Sequence, residues 1–137
     1  MNFVEFADRL EDETLEMCKK WPKTYTFLLT NRTVNLASEV YECVLSANAI
    51  IPETEEEKQN RVALLQQATG ALRNFARKVE KAKRRFPLCG YKEGRSNSEE
   101  QEKSDKLFEK IMDLCDEEEK AIEGNINYTR SIKVKSQ

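Results

Sequence analysis

Histidine is absent from this 137-residue chain, and glycine and proline occur only four and three times. Without imidazole the chain lacks the commonest general base and a leading metal ligand. So few chain breakers exclude a fold of many short strands and tight turns, which depends on those residues. No segment alternates apolar and polar residues between turn dipeptides, so no strand is predicted. The four cysteines, Cys18, Cys43, Cys89 and Cys115, contain no Cys-x-x-Cys pair. A zinc site would have to gather all of them from distant segments, so reduced thiols on helix stripes are expected, with no metal and no cofactor. No Ser or Cys has a recognisable activating partner, and the chain reads as non-enzymatic. Met1–Phe6 has no basic region, and no run is apolar enough to span a bilayer. A cytoplasmic protein without a membrane association is therefore expected, and the Asn31-Arg32-Thr33 and Asn127-Tyr128-Thr129 triplets read as chance matches to a glycosylation signal.

What remains is rich in Glu, Lys, Leu and Ala, the residues of long helices. Four amphipathic stripes are legible. The first helix, about 2–20, carries Phe3, Phe6, Leu10, Thr14, Met17 and Trp21, and Pro22 stops it. The second, about 25–50, has a seam of Leu29, Thr33, Leu36, Val40, Cys43, Ala47 and Ile50 and a second stripe at Val34, Ala37, Tyr41 and Val44. The third, about 54–86, opens on the acidic turn after Pro52, which suits the helix dipole. It keeps Val62, Leu65, Thr69, Leu72, Ala76, Val79 and Phe86 in register, with Ala68, Gly70, Ala71 and Ala76 small enough for close helix approach. Pro87, Cys89-Gly90 and 94–98 form the next loop. The fourth, about 98–123, starts at Ser98 with Gln101 in the capping-box position and carries Leu107, Ile111, Leu114, Ala121 and Ile122. Gly124-Asn125 reads as its stop, leaving 125–137 as a flexible basic tail. An all-α, antiparallel up-down-up-down four-helix bundle buries these stripes most simply.

Net charge is only −2, but its distribution is uneven. Arg61, Arg73, Arg77, Lys78, Lys81, Lys83, Arg84 and Arg85 make the third helix basic, whereas Asp116-Glu117-Glu118-Glu119 typifies an acidic fourth. Two readings compete: the two helices pair their charges across the surface, or the cations from Arg73 to Arg85 form a ridge that follows a phosphate backbone. Glu13 and Glu118 fall near seam positions and read as polar-layer residues rather than metal ligands.

The segment from Trp21 to Val34, Trp-Pro-Lys-Thr-Tyr-Thr-Phe-Leu-Leu-Thr-Asn-Arg-Thr-Val, resembles the aromatic-Pro-Lys/Arg…Phe-x-Leu-x-x-Arg-Ile signature of a family of four-helix-bundle proteins. That family includes Avd, the accessory variability determinant of diversity-generating retroelements, and is related to the ribosomal-RNA intervening-sequence proteins. Trp21, Pro22, Lys23, Phe27, Leu29 and Arg32 take the motif positions; Thr33 does not correspond, and Val34 stands loosely for the Ile. The resemblance implies a non-catalytic accessory protein, a ring-like homopentamer, a reverse-transcriptase partner, and RNA or DNA bound on basic outer surfaces. Arg32 then joins Arg73, Arg77, Lys78, Lys81, Lys83, Arg84 and Arg85 as a candidate contact. Read for packing alone, Trp21 and Pro22 staple a helix end, while Phe27 and Leu29 are core. The alternative function is a protein–protein bundle with no nucleic-acid role.

Overall fold

The structure, a computed structural model, describes residues 2–85 and 98–134, without the side chains of 98–101. The expectations for Phe86, Pro87, Cys89-Gly90, the 94–98 loop, the Ser98–Gln101 capping box and the last three residues lie outside that range.

Helix α1 spans Phe3–Cys18, and its first turn is closed by the Asn2 side chain, which accepts from the Val4 and Glu5 N–H groups at 3.0 and 2.9 Å. Pro22 follows Trp21, which is buried at the helix end. Beyond it the chain winds through a 3-10 turn at Lys23–Tyr25 and a π turn at Thr26–Thr30 before helix α2 runs from Asn31 to Ala49. The π turn is defined by the Asn31 N–H donating to the Thr26 carbonyl, five residues back. Helix α3 covers Glu55–Arg85 and α4 covers Ser98–Ser131. A capping box opens α3: the Thr54 N–H donates to Glu57 Oε1 at 3.0 Å, and the Glu57 N–H returns a bond to Thr54 Oγ1 at 3.2 Å. Among the described residues there is no strand.

Helices adjacent in the chain pack on one another, and α4 also packs on α1. Along α2 and α3 the bonded residues run in opposite order, Arg61 meeting Ala47 and Ile50 and Gln67 meeting Glu39. The same holds for α3 and α4, where Lys58 reaches Arg130 and Arg73 reaches Glu119. Leu10, Met17, Val40, Val44, Leu65, Leu72, Phe75, Phe108, Ile111 and Ile122 fill a single core. Cys18, Cys43 and Cys115 are buried as thiols.

Two expectations are corrected. Helix α4 does not stop at Gly124 but continues seven residues to Ser131. The reason is tertiary: Asn125 and Thr129, one turn apart, both bind the buried Arg61 of α3, and Lys58 donates to the Arg130 and Ile132 carbonyls at 3.1 and 2.8 Å. Gly70 likewise takes no part in close helix approach. It faces open space, and the buried small residues are Ala68 and Ala71. A Cβ at Gly124 also meets nothing within 4 Å. Gly124→Ala is therefore expected to raise stability by about 0.5–1 kcal/mol, read as a higher urea midpoint, because alanine removes backbone freedom from the unfolded chain without a clash.

Candidate nucleic-acid interface

The outer surface between the first half of α2 and the second half of α3 forms a groove of about 720 Å³. Five cations line it, Arg32 from α2 and Arg77, Lys78, Lys81 and Arg84 from α3, against a single carboxylate, Glu80. Their placement follows from helical spacing. Leu29, Thr33, Ala37 and Val40 turn α2 inward, which leaves Arg32, Asn35 and Leu36 on the flank towards α3. On α3, Phe75, Val79 and Ala82 are buried, which sets Asn74, Arg77, Lys78 and Lys81 on the flank facing α2. Arg77 and Lys81, and Lys81 and Arg85, repeat at four residues and Lys78 and Lys81 at three, so like charges are stacked along one face. Such pairs each destabilise a helix by a few tenths of a kcal/mol. Among the described residues none of the five groove cations is in an ion pair. An anion laid along the groove would relieve that repulsion.

The remaining candidates are dispersed. Arg73 turns the other way, with Nε 2.7 Å from Glu119 Oε1 on α4. Among the described residues this pair realises the charge-pairing reading, and, being exposed on both sides, it is worth at most about 1 kcal/mol. Lys83 lines a separate groove beside Asp105 and Glu109 on α4. Arg85 is exposed at the end of α3, one turn beyond Lys81 and on its strip. Together with Lys83 and Arg84 it also complements the negative end of the α3 dipole. Arg61, the first cation of the basic stretch, is 8% exposed and belongs to the core. Its guanidinium donates from Nε to Thr129 Oγ1, from Nη1 to the Ala47 and Ile50 carbonyls, and from Nη2 to Asn125 Oδ1, at 2.6–3.1 Å. Burial pulls its pKa down from the ordinary arginine value, with a smaller opposing effect from Tyr128.

Inspection of the sequence missed two features here. Asn35 and Asn74 stand on opposite walls of the groove, three residues from Arg32 and Arg77, a spacing that could have found them. Phe27 is 84% exposed and Leu28 71% exposed, so the expectation of a core Phe27 is corrected. Leu29 is buried, and residues two apart on a helical turn point to opposite sides, which drives Phe27 outward.

Elsewhere the titratable groups are less suited to chemistry. Burial pushes the Cys115 thiol up to about 12, aided by Asp116, Glu119 and Glu118, and the Cys43 thiol is raised by burial and then by Glu39 and Glu42. Neither forms a thiolate readily near neutrality. Glu118 is fully buried, neither carboxylate oxygen has a hydrogen-bond partner among the described residues, and burial pushes its pKa up to about 9. Among the described residues no cluster of three Cys, Asp or Glu side chains could hold a metal ion, and no helix is long and apolar enough to cross a membrane. Compared with protein-family models, with curated proteins and with solved structures, the chain matches none.

Proposed function

We propose that this protein is a non-catalytic accessory protein that binds nucleic acid in the α2–α3 groove. The observation that carries the reading is the set of five groove cations that have no ion-pair partner among the described residues and face one carboxylate. Clustering them costs folding free energy that a bound phosphate backbone offsets. The likeness of Trp21–Val34 to the Avd family points the same way. It adds the expectations of an up-down-up-down protomer, a homo-oligomer such as a pentamer, and a reverse-transcriptase partner. The second reading, a bundle whose basic α3 docks on the acidic α4 of another copy, draws on exposed Asp113, Asp116 and Glu117.

Fluorescence anisotropy with a labelled, structured RNA tests the first reading. The wild type is expected to bind, and Arg77→Gln, Lys81→Gln and Arg84→Gln combined are expected to weaken binding at least tenfold at 100 mM salt. All three positions are exposed, so the fold is retained. Unchanged affinity in the triple variant would remove the groove from the account. A wild type with no RNA affinity whose oligomer dissociates in high salt would establish the second reading instead.

A further inference from the structure

The groove cations account for a phosphate backbone, but they leave Phe27 without a role. An aromatic ring this exposed loses free energy by staying in water, and its place is informative. The Asn31 N–H to Thr26 carbonyl bond spans five residues, and Arg32 follows Phe27 at the same separation. Leu28, four residues before Arg32, is also exposed. Two exposed apolar side chains thus stand about one helical turn before Arg32, a cation of the groove. We infer that the ligand is a single-stranded segment of nucleic acid, its phosphates held by Arg32, Arg77, Lys81 and Arg84 and one unpaired base stacked on Phe27. The inference rests on the phosphate-binding reading of the groove.

Three observations favour this occupant. Duplex bases are stacked on one another and offer no face to an aromatic ring, whereas an unpaired base does. Asn35 and Asn74 bring carbonyl acceptors as well as amide donors to the groove walls. Phosphates only accept, but base edges and ribose hydroxyls also donate. Finally, the cations sit in a recess between two helices, where a strand fits and the plane of an anionic membrane does not.

Three probes are compared by anisotropy: a labelled 12-nucleotide single strand, its duplex, and an abasic strand of equal length. The wild type is expected to prefer the single strand. Phe27→Ala is expected to weaken that binding about 5- to 100-fold while leaving the duplex and abasic probes unchanged, and Phe27→Trp is expected to preserve it. If Phe27→Ala binds the single strand as wild type does, the stacking inference fails, and the groove reading stands provided the triple groove variant still weakens binding. If the wild type binds none of the probes, both fail. Phe27-dependent binding to phosphatidylserine–phosphatidylcholine vesicles with no strand affinity would overturn the inference in favour of a lipid surface. So would a loss of oligomer mass in Phe27→Ala that accompanies the loss of strand binding, which would assign the ring to a contact between copies.

Discussion

Replacing Arg61 with alanine is expected to destabilise the protein by about 3–5 kcal/mol, the range for removing one partner from a buried charged network. Four acceptors lose a donor at once: the Ala47 and Ile50 carbonyls at the end of α2, and Asn125 Oδ1 and Thr129 Oγ1 on α4. Both carbonyls lie at the C-terminus of α2; Ala47 keeps the Ile50 N–H as a second donor at 3.1 Å, and Arg61 supplies an N–H to the Ile50 carbonyl beyond the helix end. Arg61→Met keeps most of the aliphatic packing but none of the donors, and is expected to recover only a small part of the loss. Urea denaturation measures both variants. A change below about 0.5 kcal/mol for alanine, the range of an ordinary surface substitution, would return Arg61 to the pool of surface cations.

Glu118 gives the opposite expectation, a gain. It occupies the seam of α4 between Cys115 and Ile122, fully buried, with no hydrogen-bond partner for either oxygen among the described residues. With its pKa raised from 4.5 to about 9, the folded protein holds one more proton than the unfolded chain between those values. This group's contribution to stability is therefore complete below pH 4.5 and is lost progressively as pH rises towards 9. At pH 7 the loss amounts to about 3 kcal/mol. Glu118→Leu is expected to be more stable than wild type by about 1–4 kcal/mol at pH 8, with a smaller gain at pH 5. Glu118→Gln is expected to flatten the pH dependence without the full gain, since its amide is equally orphaned. Denaturation midpoints at the two pH values give the comparison. A leucine variant less stable at both would mean that the carboxyl has a partner in the folded protein.

These two residues also show where sequence is informative about this fold and where it stops. The three-and-four spacing that runs through Ile111, Cys115 and Ile122 places Glu118 on the seam, so its burial was legible, but nothing local reveals that it has no partner. The end of α4 was not legible. Gly124-Asn125 is a sound local stop signal, and it is overridden by Arg61, more than sixty residues earlier in the chain. The start of α3 was legible and was underread: Thr54-x-x-Glu57 is a capping box, not only an acidic first turn. At the groove, the basic strip of α3 follows from periodicity alone. Its partition does not, because which flank meets α2 and which meets α4 depends on packing. That choice brings Arg32 to Arg77 and Lys81 while sending Arg73 to Glu119. The exposure of Phe27 follows from simple geometry once Leu29 is known to be core.

The salt dependence of binding tests the central claim most directly. The logarithm of the affinity for a labelled single strand, plotted against the logarithm of salt concentration, has a slope set by the number of phosphates contacted, about 0.7 per contact. The Arg77→Gln, Lys81→Gln, Arg84→Gln variant is expected to be shallower than wild type by about 2, one contact for each cation removed. Parallel lines for the two proteins would contradict the account, placing any phosphate contacts outside the groove.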